Sequence, residues 1–303
     1  MIVSLDTESA FGTMQPIVSC GIIIPTKNKA PRLKLTLSAL VSQRNDIAEI
    51  IIVDDGSTDV TPSVVAQYSL LLPLKYIHPA NKGRAAARNA GAVEAQSELL
   101  IFLDDDILVG KGFVQAHKQA HVDQTLVHGP LREMVGAATL QDPAAGGRGV
   151  PPLEYAILQE QGYDLRQGRH MINALERIIE QMNSGALQNI APWLCAVGAN
   201  MSIPRLAWSS LGGFDEGFGT KWGCEDLEFG YRAHKSGFEF ILSKDAWGVH
   251  LTHQRADRWE QHQINLDRFV RKHPVPEVLC LGKLLGPDGS PEHYASAVLN
   301  HIR

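Results

Sequence analysis

Short β-branched runs alternate with leucine- and alanine-spaced segments along the first third of the chain. CGIIIP (20–25) and EIIIVDD (49–55) each close on turn or charged residues, the pattern of buried parallel strands. Between them Leu33, Leu37 and Leu40 recur at helical spacing, so the pattern predicts a strand–helix–strand unit. LKYIHP (74–79) reads as a further strand, RAAARNAGAVEAQ (84–96) as an alanine-rich helix and ELLIFLDDD (98–106) as another strand. This alternation predicts an α/β fold: an open, doubly wound, mostly parallel sheet flanked by helices. Ligands of such sheets sit beyond the carboxyl ends of the strands.

Farther along, the pattern changes. GAATLQDPAAGGRGVPP (136–152) is loop material, read as a mobile lid or a surface excursion. Met171, Leu175, Ile178, Ile179 and Met182 are expected on one buried helical face. From 256 onward Trp259, Leu266, Phe269 and Val270 stand among Arg258, Arg268, Arg271 and Lys272. That mixture suits a docking helix first and a peripheral membrane contact second. The expected organisation is a catalytic unit over 1–255, with a nucleotide-binding half at about 17–110 and an acceptor half at 111–255. A helical extension, 256–303, would pack on it.

Composition narrows the class. With 303 residues, 44% hydrophobic and 20% charged, the chain can bury a large core. A formal charge of −5 argues against general nucleic-acid binding. No apolar run approaches the roughly 18 to 20 residues of a membrane span. The start, MIVSLDTESAFGTMQ, lacks the features of a signal peptide. Cys20, Cys195, Cys224 and Cys280 stand far apart, so free thiols and a cytoplasmic location are expected.

The chemistry gathers where strands end. Pro25-Thr26-Lys27-Asn28, Asp54-Asp55-Gly56-Ser57 and Asp104-Asp105-Asp106 all follow predicted strands, so polar groups converge on one rim. Three adjacent carboxylates repel one another, so a positive partner is expected. In extended chain Asp104 and Asp106 would share a face while Asp105 points away. Two oxygen donors at that spacing suit Mg²⁺ or Mn²⁺. A helix N-terminus with acids in its first turn is the structural alternative.

Taken together, IIIPTKN (22–28), IIVDDGSTD (51–59), NKGRAAARNAG (81–91) and FLDDDIL (102–108) resemble inverting GT-A glycosyltransferases of family 2. GANMSIPRLAWSSLGGFDEGF (198–218) and WGCEDLEFGYRAHKSGFEF (222–240) are similar to the C-terminal catalytic segment of β-1,4-galactosyltransferases. The resemblance covers about half the chain and implies specific roles. Pro25, Thr26 and Asn28 would lie at the nucleotide, and Asp55 would accept a hydrogen bond from the base, which favours a UDP-sugar donor. Arg84 or Arg88 would approach the diphosphate, with Asp104 and Asp105 beside it. Asp104 and Asp106 take the metal motif, with Asp106 as direct ligand and His250 completing the shell around Mn²⁺ or Mg²⁺. Asp226 would be the general base, and Glu225 would hold the acceptor or a neighbouring group. Trp222, Gly223 and His253 would shape the acceptor or sugar pocket.

The implied reaction moves one sugar to an acceptor hydroxyl by single displacement, with inversion. A retaining GT-A enzyme, a sugar-phosphate nucleotidyltransferase and a non-catalytic nucleotide-sugar sensor are the rival readings. The retaining relatives that resemble WGCEDLE carry Asn where Asp226 stands, so the acid favours inversion. The acceptor is open among polysaccharide, lipid, antibiotic scaffold and peptide, because 111–194 carries no assignable motif.

Overall fold

Ile22, Ile23 and Ile24 are all fully buried, as are Ile50, Ile51 and Ile52, because their strands lie mid-sheet with an apolar layer on each face. The alternation of strand side chains sends Ile22 and Ile24 into one core and Ile23 into the other. The structure is a computed structural model describing residues 1–4, 19–79, 82–147, 149–254 and 256–302.

Twelve strands are described: β1 (Ile2–Ser4), β2 (Cys20–Thr26), β3 (Glu49–Asp54), β4 (Leu74–Ile77), β5 (Leu99–Leu103), β6 (Ile107–Val109), β7 (Thr125–His128), β8 (Leu131–Met134), β9 (His170–Met171), β10 (Asn200–Pro204), β11 (Glu239–Leu242) and β12 (Gly248–His250). Helices α1 (Ala30–Val41), α2 (Thr61–Tyr68) and α3 (Arg84–Glu94) join β2, β3, β4 and β5 in turn. Then come α4 (Phe113–Ala120), α5 (Tyr155–Gln161), α6 (Ala174–Asn183), α7 (Arg205–Ser210) and α8 (Glu225–Lys235). The chain closes with α9 (Arg258–Lys272), α10 (Pro276–Leu279), α11 (Gly282–Leu285) and α12 (Pro291–Ile302).

The main sheet has the order β1-β11-β7-β10-β5-β2-β3-β4. All its pairings are parallel except those of β10, which runs against both β5 and β7. The chain winds outward from β2 to β4 and then returns to the other side of β2 as β5. The switch point therefore lies between the carboxyl ends of β2 and β5, where Pro25–Asn28 and Asp104–Asp106 emerge.

A second sheet, β6-β12-β8-β9, has no counterpart in the sequence reading. Its pairing of Ile107 with His250 places β12 against the chain just after the three aspartates. The register is reinforced by the Leu251 N–H donating to the Asp106 carbonyl at 2.8 Å.

Two expectations change here. Asp105 and Asp106 form a turn between β5 and β6 rather than extended chain, so the rule of alternating faces does not apply to them. Met171 is 52% exposed on β9, and α6 begins only at Ala174, capped by the Asn173 side chain accepting from the Glu176 N–H. The buried stripe of α6 is Ile178, Ile179 and Met182.

Within the 136–152 stretch, Ala137, Pro143 and Val150 are buried. Leu266 and Phe269 of α9 and Tyr294 of α12 belong to the same core as Trp193 and Phe240, so the C-terminal helices share the main core. The segment 5–18, with the expected start near 17, Asn81 of the NKGR motif, Arg148 and the boundary at 255 lie outside the described residues. No helix of the described residues is long and apolar enough to cross a membrane.

Candidate active site

Asp106 is the centre of the arrangement. Its carboxylate is 1% exposed, and three nitrogens approach one oxygen, Oδ2: the Lys29 ammonium at 2.7 Å, His253 Nδ1 at 3.2 Å and His250 Nε2 at 3.4 Å. The register of β6 with β12 brings His250 there, and His253 follows three residues later. Burial alone would raise the Asp106 pKa, but Lys29 and then His250 overcome it and hold the group well below the usual carboxylate range. Asp106 also raises the His250 pKa against the lowering effect of burial.

Asp106, His250 and His253 present one ligand atom each, all within 4.8 Å of one another. Asp106 Oδ1 is buried with no hydrogen-bond partner, which is costly for a carboxylate oxygen. One carboxylate and two neutral imidazoles form a donor set for a divalent metal ion, so the residues present fit such an ion.

Beside this group lies a cavity of about 310 Å³ lined by Pro25, Thr26, Lys29, Asp55, Arg84 and Asp105, among others. The Thr26 hydroxyl donates to Asp105 Oδ2 at 2.7 Å, and Lys29 Nζ reaches Asp105 Oδ1 at 3.0 Å. Asp55 accepts from the N–H groups of Lys82 and Gly83, at 3.0 and 3.2 Å, and so fixes the start of α3. Gly83 has φ +94°, and a Cβ there would stand 2.0 Å from the Gly219 carbonyl oxygen. Only glycine lets α3 approach the 219–220 loop this closely. Thr220 of that loop completes the cavity wall.

The second acidic group stands at the N-terminus of α8. Asp226 accepts from the Gly198 N–H at 2.9 Å and from the Leu227 N–H at 2.9 Å. Burial and the adjacent Glu225 push it up to about 6, against the lowering effect of Arg88. One residue past Gly198, the Ala199 carbonyl accepts from the Asp104 N–H at 3.1 Å, so a single segment ties Asp226 to the carboxyl end of β5. Arg88 makes a second tie, donating to Asp104 Oδ1 at 2.8 Å and to Glu225 Oε1 at 2.9 Å. Just before α8, Cys224 takes a left-handed φ of +70°, a strained conformation for a non-glycine residue.

The structure thus gathers Pro25, Thr26, Asp55, Arg84, Asp104 and Asp105 at the cavity, and Glu225 stands 3.7 Å from the Nε of the lining residue Arg84. Several placements differ from expectation. Arg88 is 2% exposed and committed to two carboxylates, so Arg84 is the guanidinium that lines the cavity. Asp104, expected as a second metal carboxylate, faces Arg88 instead. Asn28 accepts from the Thr58 N–H at 2.7 Å, and its own N–H donates to Ser57, so it joins two loops. His253, expected in the sugar pocket, shares Asp106 with His250. Trp222 carries the Arg258 guanidinium 4.4 Å above its ring, and its backbone N–H donates to Gln261 Oε1 at 3.0 Å. A Cβ on Gly223 would stand 2.7 Å from His262 Nδ1. Trp222 and Gly223 are thereby fastened to α9.

Sequence reasoning missed Lys29 and Gly198. Lys29 is the next residue after IIIPTKN, and a basic residue at the end of a strand facing an acidic run was the available signal. Gly198 acts through its backbone, which side-chain chemistry does not disclose.

Comparison with known proteins gives the family. Residues 21–141 match the family model "Glycosyl transferase family 2", and residues 191–254 match "N-terminal domain of galactosyltransferase". The chain is 33% identical over 303 residues to a validoxylamine A glucosyltransferase of Streptomyces hygroscopicus subsp. jinggangensis, with 93% of this chain and 68% of the relative covered. The same activity in Streptomyces hygroscopicus subsp. limoneus is also matched at 33%, with 93% and 63% covered; the chain spans about two-thirds of these relatives.

Two solved structures share the fold. A Pyrobaculum calidifontis mannosyltransferase in complex with GDP-Man and Mn²⁺ has a TM-score of 0.56 at 19% identity, covering 95% of this chain and 70% of its own. GalNAc-T7 with UDP, GalNAc and Mn²⁺ has a TM-score of 0.61 at 18% identity, covering 95% and 55%. The fold is that of the GT-A glycosyltransferases. The chain belongs to glycosyltransferase family 2 and is a glycosyltransferase.

Proposed function

We propose that this enzyme transfers one glucosyl unit from UDP-glucose to a hydroxyl of an acceptor related to validoxylamine A, with inversion. The carrying observation is the meeting of Asp106, His250 and His253 beside a cavity whose lining residues Arg84 and Asp104 are tied, directly and through Arg88, to Glu225 at the start of α8, next to Asp226. The glucosyl unit and the acceptor are suggested by the 33% identical relatives.

Asp106, His250 and His253 are the residues that would hold Mn²⁺ or Mg²⁺, which when bound offsets charge on the leaving diphosphate. Arg84 supplies a guanidinium at the same cavity, where its fork matches paired phosphate oxygens. Asp55, with its carboxylate at the cavity wall, accepts from the imide N–H of uracil. Asp226, raised to about 6, is ionised at neutral pH yet basic enough to take the acceptor hydroxyl proton. The backbone donors from Gly198 and Leu227 hold its carboxylate in place.

The test is incubation with UDP-glucose, validoxylamine A and Mn²⁺, followed by NMR of the fresh product. A β-linked glucoside from the α-linked donor is expected. An α-linked product would establish the retaining course, and release of inorganic pyrophosphate or free phosphate instead of UDP would reject sugar transfer.

A further inference from the structure

Lys29 occupies a position at odds with a metal ion. Its Nζ lies 2.7 Å from Asp106 Oδ2, the same oxygen that His250 and His253 face. Two cations cannot both hold that oxygen in a buried setting, where like charges repel strongly. We propose that Lys29 is a displaceable counter-ion: it neutralises Asp106 until a divalent ion arrives, then moves onto Asp105 and into the cavity to contact the donor diphosphate. The inference rests on the metal reading given above and extends it to a residue outside the metal-ligand set.

Three features make the movement feasible. Lys29 already reaches Asp105 Oδ1 at 3.0 Å, and both residues line the cavity, so a short swing keeps the ammonium paired. The Lys29 backbone is held independently, because its carbonyl accepts from the N–H groups of Arg32 and Leu33 at 2.9 Å. A lysine is a point charge on a flexible stem, free of the fixed geometry that a guanidinium imposes. The neighbouring Arg32 cannot take over, since it donates to the carbonyls of Leu251 and Leu140 at 3.0 and 2.9 Å.

The consequence is coupling. Metal arrival releases an ammonium that the diphosphate recovers, so each ligand tightens the other by the same factor.

The test is isothermal titration of Mn²⁺ into the wild type, Lys29→Met and Lys29→Arg, with and without saturating UDP. Without nucleotide, Lys29→Met binds Mn²⁺ at least about tenfold more tightly than wild type, because its competitor is gone. Lys29→Arg keeps the weak binding of the wild type. UDP tightens Mn²⁺ binding more in the wild type than in Lys29→Met. If Lys29→Met does not fold, Lys29→Gln serves, since it keeps a donor for the carboxylates but no charge.

Equal or weaker Mn²⁺ binding by the neutral variant overturns the assignment of Lys29 while leaving the metal reading intact. Absence of Mn²⁺ binding in every protein, with UDP or without it, overturns both.

Discussion

Asp226 is held by two backbone N–H groups and stands next to the buried Glu225. A carboxylate so placed keeps its orientation while its basicity rises, which is what proton removal from a hydroxyl requires. Asp226→Asn keeps the shape but not the base, so kcat falls about 10²- to 10⁴-fold. UDP affinity by titration stays close to wild type, and a matching loss of UDP binding contradicts the assigned role. With Asp226 as the proposed base, the pH profile of kcat/KM is expected to carry an acid limb at about 6. Arg88 is the cation that lowers this value, so Arg88→Met moves the limb to higher pH; an unmoved limb contradicts the coupling.

Motif residues such as Asp106 and Asp226 were readable because the runs FLDDDIL and WGCED stand out within a few neighbouring positions, even though their partners lie far away in sequence. Lys29 and Gly198 were not, because their importance comes from partners 77 and 28 positions away.

Elements set these distances. The turn at Asp105 and Asp106, followed by β6 pairing with β12, is what joins an acidic loop to two histidines more than a hundred residues later. The central strands were legible since five to seven consecutive apolar or β-branched residues leave a clear signal. The second sheet was not, because strands of two to four residues have too little periodicity to register. The same brevity disguised Met171, which sits on a two-residue strand beside a helix whose face it seemed to extend.

The contact of α3 with the 219–220 loop depends on Gly83. Gly83→Ala must relieve both a left-handed φ and a backbone collision, a loss of about 2 kcal/mol or more. Thermal unfolding and UDP titration check it: Tm drops and UDP binds more weakly. Wild-type values for both contradict the packing argument.

At the scale of the molecule, the interior carries an unusual polar cluster. His117 bridges Ser202 and Asn200 at 2.7 and 2.9 Å, and His121 meets Ser202 at 2.9 Å. Burial pushes His117 down to about 4 and His121 down to about 3. Unfolded imidazoles titrate near 6.5, so below that pH the unfolded chain binds more protons than the native one. The stability these two residues bring is complete above about 6.5 and is lost as pH falls towards their folded values. Each contributes a slope of about 1.4 kcal/mol per pH unit in that window. Asp226, with its raised value, acts in the opposite sense between its ordinary 3.8 and about 6. Urea unfolding at pH 7.5 and 5.0 shows markedly lower stability at 5.0, and His117→Gln narrows the difference. Equal stability at both pH values contradicts this account.

The proposed function needs a divalent ion at Asp106, His250 and His253. Crystals grown with Mn²⁺ and UDP, with diffraction recorded at the manganese absorption edge, test this most directly. The account predicts one strong anomalous peak within bonding distance of Asp106, His250 and His253, in contact with the diphosphate. A peak elsewhere, or UDP seated in the cavity with no manganese beside Asp106, would contradict it.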